Sequence, residues 1–381
     1  MKRSHQRILT THTGSLPRPS DLLEMMALQV DTETRAQRVR SAVAEVVEKQ
    51  AGAGINIVSD GEMSKPSFVH YVQERIQGFE GVAPAPEFNF DADFPGYMAW
   101  RSRGRPSLTT SPFGSRPLCI SPLNWKGEAA LRADINNFKS AIGNLTVEEG
   151  FVPCASIGII AQRFANAYYP SYEAFVQAIA EVMREEYSRI AEAGLIVQID
   201  APEMCIDRNL SEFCDQPIEE FRKRQMLWVE ALNYALAGVP EEHVRFHVCW
   251  GNLEGPHTRD VPLREIIDIV LKVKAAAYSI EASNPRHAHE WKIWRDVKLP
   301  EGKVLIPGVI DSVTNFVEHP DLVADRIISY ANLVGRENVI AGTDCGFGTA
   351  AGFDNIYPPI VWAKLKSLAE GAALASNVLW P

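Results

Sequence analysis

The sequence predicts a TIM (β/α)8 barrel with a long insertion after the second strand. Three observations point there. Short apolar runs alternate with longer amphipathic ones, eight strand-like runs can be counted from Ile8 onwards, and reactive side chains recur just past the ends of those runs. An open doubly wound sheet would share the alternation, but eight units is the number that closes a barrel. A single domain over 1–381 is expected, because α/β barrels stay one domain well beyond the average domain length.

The run Ile8-Leu9-Thr10-Thr11-His12 is the first strand, closed by Gly14-Ser15-Leu16-Pro17. A polar helix from about Thr34 to Gln50 ends at Ala51-Gly52-Ala53-Gly54, and Ile55-Asn56-Ile57-Val58-Ser59-Asp60-Gly61 is the second strand. From about residue 63 to 150 the rhythm breaks among prolines, glycines and aromatics. This stretch is expected to be the insertion, carrying a hairpin and part of a lid. Its Arg101, Arg103 and Arg105 fit a solvated charge run first, and an anion-binding group second.

The third strand is Phe151 to Ser156, followed by a helix from Ser171, its N-cap, to Ala193, with Gly194 just beyond. Leu195 to Asp200 is the fourth strand and Glu219 to Leu236 a helix. Val244 to Cys249 is the fifth, with a helix over Leu263 to Lys274. Ala276 to Glu281 is the sixth, then a short helix near His289 to Arg295. Lys303 to Asp311 is the seventh, with a helix over His319 to Val334. Asn338 to Asp344 is the eighth, with a helix over Pro359 to Ala375. No Gly-x-Gly-x-x-Gly opens a helix after a strand, so nothing in the chain suggests a dinucleotide.

Composition narrows the partners. Hydrophobic residues make up 46% and charged residues 23% of the chain, as in ordinary globular proteins, and the net charge is -10. An acidic surface offers no attraction to nucleic acid or to an anionic membrane, so a small-molecule substrate is expected. The N-terminal residues lack the apolar stretch of a signal peptide and no run is long enough to span a bilayer, which leads to the expectation of a cytoplasmic protein. In that compartment the six scattered cysteines are thiols or metal ligands.

Side chains two apart on a strand point the same way, about 7 Å from one another, so His247 and Cys249 share a face. In a TIM barrel the site lies at the C-terminal strand ends, where Glu281 and Cys345 also fall. A His/Cys/Cys/Glu set suits zinc in ligand number and softness. Alone, each cysteine reads as an apolar filler and Glu281 as a loop carboxylate; it is their combination that suggests a metal. His243 lies towards the other end of its strand and reads as structural. His287 and His289 could form a rival metal pair but read better as a solvated face. Two thiolates and a carboxylate would leave bound zinc with a charge near -1, which suits stabilising a substrate thiolate better than activating water.

The motifs His247-x-Cys249, Ser279-Ile280-Glu281-Ala282-Ser283 and Asp344-Cys345-Gly346 resemble the zinc-ligand motifs of the C-terminal barrel of cobalamin-independent methionine synthase and its relatives, epoxyalkane:coenzyme M transferase among them. Thr13-Gly14-Ser15-Leu16-Pro17, Asp60-Gly61-Glu62, Gln198-Ile199-Asp200-Ala201-Pro202 and Pro307-Gly308-Val309-Ile310-Asp311 resemble further motifs of that family, in the same order. The resemblance implies zinc as cofactor with ligands His247, Cys249, Glu281 and Cys345. It also implies that Ser15, through its backbone, with Glu62 and Asp200, holds the amino-acid part of homocysteine; two carboxylates are what an ammonium group wants.

One departure stands out. Asp311 is followed by Ser312-Val313, so a valine takes the place of the histidine thought to protonate methyltetrahydrofolate in methionine synthases, and Gly158 to Arg163 holds no counterpart of their folate-contacting tryptophan. The expected activity is zinc-dependent alkyl transfer, methyl transfer above all, from an alkyl donor to a thiol such as homocysteine. Epoxide opening by a thiol is the alternative, with a non-catalytic zinc or thiol-binding protein and a zinc hydrolase behind it. Assembly as a homo-oligomer is compatible with all of these.

Overall fold

The computed structural model describes residues 1–28, 31–87, 93–101, 115–143, 145–353 and 355–381. Its central element is an eight-stranded parallel sheet: β1 (Leu9–Thr10), β2 (Ile57–Ser59), β3 (Glu149–Ala155), β4 (Ile196–Asp200), β5 (Val244–Val248), β6 (Ala277–Ile280), β7 (Val304–Ile310) and β8 (Ile340–Thr343). From β2 to β8 each strand pairs with its neighbour in sequence, and β8 returns to β1, with Leu9 opposite Ile340. Between β1 and β2 the contact is not a full ladder. Asn56 donates its backbone N–H to the Thr10 carbonyl at 3.1 Å, and the Thr11 hydroxyl donates to the Ile57 carbonyl at 3.0 Å. Those bonds draw the two edges together, giving the nearly closed barrel that the sequence predicts, in place of an open sheet.

β-Branched residues dominate the strands because they fill a pleated surface well. Leu9, Ile57, Phe151, Ile196, Ile306 and Ile340 belong to a core cluster separate from the larger one between strands and helices. The long helices Thr32–Gly52, Tyr172–Glu192, Ile218–Ala235, Pro320–Val334 and Pro358–Leu379 present apolar faces to that larger cluster. Ser171 caps its helix as expected, accepting from the Ala174 N–H at 3.1 Å.

Two local expectations change. The helix foreseen over 263–274 is a 3-10 turn at Leu263–Glu265 and a single α turn at Ile267–Val270; its β-branched run Ile266, Ile267, Ile269, Val270 disfavours a longer helix. Within the segment 63–150 lies a regular helix, Glu128–Ile142, burying Leu131, Ile135 and Phe138. Their spacing of four and three is helical, and the helix packs beside Thr32–Gly52 where a barrel helix belongs. The surrounding prolines masked this signal in the sequence.

The rest of the segment holds two small antiparallel pairings, Gly81–Pro84 with Ser115–Cys119 and Ile76–Gln77 with Asn124–Trp125. Arg103 and Arg105 lie outside the described residues. All six cysteines are thiols, and no helix among the described residues is long and apolar enough to cross a membrane.

Candidate active site

Along β5, residues 245, 247 and 249 share a face because strand side chains alternate. Arg245 is fully buried below the site, donating Nε to the Gln198 side-chain oxygen at 2.5 Å, Nη1 to the Thr11 hydroxyl at 3.0 Å and Nη2 to the His12 carbonyl at 2.5 Å. Its guanidinium lies 3.6 Å from the Phe151 ring centroid. One cation thus ties β5 to β4 and to the chain leaving β1. Gln198 passes the order on, donating to Asp200 Oδ1 at 2.7 Å.

His247 sits above Arg245, in register with Asp200 of β4 and Ser279 of β6. The ligand atoms of His247, Cys249 and Cys345 all lie within 4.8 Å of one another, and all three residues are buried. Around a tetrahedral first-row ion, sulfur and nitrogen ligands stand about 3.5–3.8 Å apart, so the trio fits such an ion without rearrangement of the strands. Burial pushes the His247 imidazole down to about 3, assisted by the charge of Arg245, which leaves the ring neutral with a lone pair to give. The two thiols share a hydrogen bond; Cys249 pushes Cys345 well above the usual thiol range, aided by burial and by Glu281. Cys345 in turn draws Cys249 down, but burial and Glu281 outweigh it and its thiol is also raised. Only a cation would make thiolates of this pair.

Glu281 is buried beside the trio without belonging to that tight group. Its Oε2 accepts the backbone N–H of Trp250 at 2.6 Å. Cys345 emerges from β8, and the glycine after it packs closely on Ser15: a Cβ on Gly346 would lie 2.0 Å from the Ser15 hydroxyl and 3.2 Å from its backbone nitrogen. Ser15 stands against this turn, its carbonyl accepting from the Phe347 N–H at 2.8 Å.

Glu62 and Asp200 face the same cavity. Glu62 adopts φ +58, a left-handed conformation rare outside glycine, and its Oε2 is buried without a hydrogen-bond partner. Lys65, buried, lies 3.8 Å from Glu62 Oε1 and 4.3 Å above the Tyr71 ring. Burial raises both carboxyls, and Glu62 pushes Asp200 up further. The cavity measures about 320 Å³ and is lined by Ser15, Glu62, Asp200, His247, Cys249 and Cys345 together with apolar walls from Phe68, Ile206, Trp250, Leu253 and Phe353. From the segment after β2 it takes Pro86, Met98 and Arg101.

Of the residues singled out from sequence, Ser15, Glu62, Asp200, His247, Cys249 and Cys345 line one cavity. His243 lies before β5, bonded to the Leu195 carbonyl, away from it. His287 is not on a solvated face: it is buried, stacked 3.7 Å from the Trp250 ring and held between Asp260 and Glu290 at 2.9 and 3.0 Å. Sequence reasoning missed Arg245, Lys65, His257 and Asp260. Only the placement of Arg245 two residues before His247 on an inward face hinted at any of these.

Residues 158–357 match the family described as "Cobalamin-independent synthase, Catalytic domain". The methionine synthase of Saccharolobus solfataricus is 24% identical over 97% of this chain and 95% of its own length. That of Thermococcus kodakarensis is 26% identical over 97% and 94%. Among solved structures, a B12-independent methionine synthase from Shewanella sp. W3-18-1 superposes with a TM-score of 0.74 at 19% identity, covering 98% of this chain and 99% of that one. The putative enzyme from Listeria monocytogenes gives 0.67 at 16%, with coverage of 98% and 99%. These likenesses bear on the barrel. The family match spans more than half of the chain, and the chain belongs to the cobalamin-independent synthase catalytic-domain family.

Proposed function

We propose that the protein is a zinc-dependent alkyltransferase that methylates a thiol of the homocysteine type. The observation that carries this reading is the convergence of His247, Cys249 and Cys345 on one cavity, and we assign Glu281, buried at the end of the neighbouring strand, as the fourth donor. The relatives named methionine synthase support the choice of methyl group and thiol. Zinc bound by this set would hold a substrate thiol as thiolate at neutral pH.

The residues of the chain then divide the remaining work. Glu62 and Asp200 are buried carboxyls that ionise at a cost unless a cation joins them, and the partnerless Glu62 oxygen supports an ammonium group as that cation. The backbone around Ser15 would meet the carboxylate of the same amino acid. Arg245 and Gln198 hold Asp200 in place. The apolar walls would favour sulfur over water as the nucleophile that attacks the electrophilic carbon.

Epoxide opening by a thiol is the second reading, because the loop after β7 weighs against folate as the alkyl donor. There Asp311 spends its carboxylate on its own turn, accepting from the Val313 and Thr314 N–H groups at 3.2 and 2.8 Å, and Val313 carries no proton. X-ray absorption at the zinc edge separates the possibilities. Gain of a sulfur ligand on adding homocysteine, and none with coenzyme M, is expected; protein that takes up no zinc would sink both readings.

A further inference from the structure

Alkyl transfer to sulfur leaves an electron pair on the departing atom. When that atom is oxygen or nitrogen it needs a proton. Among the described residues lining the cavity, Glu62 and Asp200 serve a cation and His247 is a proposed metal ligand; the other imidazole is His257. It lies outside the motifs discussed above, on the chain after β5, at φ +55, a conformation costly for a residue with a Cβ.

Its ring is clamped at both nitrogens. Nδ1 meets Asp260 Oδ2 at 2.6 Å and Nε2 meets the Leu253 carbonyl at 2.8 Å. Only the doubly protonated ring satisfies two acceptors at once. Behind it, Asp260 Oδ2 also takes His287 Nε2 at 2.9 Å, Asp260 Oδ1 takes the Asn209 amide at 2.8 Å, and His287 Nδ1 meets Glu290 Oε2 at 3.0 Å. Asp260 is nearly inaccessible, with 1% of its side chain exposed, so its charge is little screened. The His287 ring lies flat against Trp250, next to Cys249 in the chain, which fixes this cluster relative to the thiol site.

We propose that His257 is the general acid of the alkyl transfer, giving the proton on Nε2 to the leaving atom of the electrophile, with Asp260, His287 and Glu290 as positioning residues. The assignment rests on the thiol-alkylation reading above. In the step, the sulfur–carbon bond forms as the bond from carbon to the leaving atom breaks. The electron pair goes to the leaving atom, which takes the Nε2 proton in place of the Leu253 carbonyl. His257 is left neutral, still donating Nδ1–H to Asp260. After product leaves, Nε2 regains a proton from water, balancing the proton that the thiol lost on binding. In agreement with this role, the bond to Asp260 raises the His257 imidazole against the pull of burial, and the bonds to Asp260 and Glu290 raise His287 to about 9.

The test compares two electrophiles on zinc-loaded full-length protein with homocysteine as the thiol. Methyl iodide releases iodide, which needs no proton; propylene oxide opens to an alkoxide, which does. In His257→Gln the enzymatic rate with propylene oxide is expected to fall about 100-fold more than the rate with methyl iodide. Equal losses with both would reduce His257 to a wall of the cavity, and no loss with either would remove it from the reaction. Asp260→Asn carries the same test if His257→Gln does not fold. Its selectivity should shift in the same direction, and the propylene oxide rate should begin to decline at a lower pH than in wild type; an unchanged ratio and pH profile overturns the assignment. Wild-type protein inert with both electrophiles would overturn the thiol-alkylation reading itself, whereas a lost distinction between electrophiles overturns only the role of His257.

Discussion

Replacing Cys345 by alanine deletes one of the three convergent donors while leaving β8 and the Gly346 turn intact. The size of the effect follows from the ligand count. Binding of zinc to a complete four-ligand set is worth about 10–16 kcal/mol, or about 2.5–4 kcal/mol per ligand, which is on the order of 100- to 1,000-fold in Kd. The pH dependence must change too. In the metal-free protein burial and the nearby Glu281 keep both thiols protonated, and His247 is already neutral, so wild-type zinc uptake must expel a proton from each sulfur. Cys345→Ala expels one fewer, and the two slopes of log Kd against pH should differ by about one, a tenfold change per pH unit. Competition against a chromophoric chelator at three pH values measures both quantities. Full zinc occupancy in the variant, or an unchanged slope, would remove Cys345 from the metal site and with it the reading of the cavity as a thiolate site.

Other perturbations probe the surroundings. Glu62→Gln or Asp200→Asn should raise KM for homocysteine at least tenfold while zinc content stays at wild-type level, and a thiol without an amino group should lose nothing; an equal loss for both thiols would place the two carboxyls in the scaffold only. Arg245→Met strips partners from the Gln198 side chain, the Thr11 hydroxyl and the His12 carbonyl at once, and thermal or urea unfolding should register about 3–5 kcal/mol of lost stability. Glu203 is buried with one oxygen on the Ser156 hydroxyl at 2.6 Å and the other unpartnered, and burial raises its carboxyl to about 8. The folded state therefore holds its proton longer than the unfolded chain, so stability falls as pH rises from about 4.5 to about 8 and then levels. Glu203→Gln should be more stable than wild type by about 2–4 kcal/mol at pH 8 and equal to it near pH 4; urea titrations at the two pH values that show no such divergence would place the charge elsewhere.

How much of this was legible in the sequence depends on whether the signal is local. The strand ends were, because a short apolar run that stops at Gly251, Gly61 or Gly346 marks both a strand and the loop that bears reactive groups, so Glu62, Cys249 and Cys345 could be placed on one rim before any coordinates. Glu281 shows the limit of that reasoning. The strand pattern puts it on the rim, but its carboxylate is drawn to the Trp250 N–H, a choice made by a neighbouring strand that no spacing within Ser279-Ile280-Glu281 encodes. Helix Glu128–Ile142 was hidden for a different reason: its periodic apolar face is sound, but the prolines and glycines before it belong to an excursion that begins at β2. The histidines illustrate the hardest case. His257, Asp260 and His287 come from two loops separated by a strand, and a histidine in a polar stretch reads as solvated until stacking on Trp250 and two carboxylates bury it. Candidate metal ligands announce themselves by residue type at strand ends; a proposed acid that would work through a charge network is made by packing, and becomes visible only when the loops are folded onto one another.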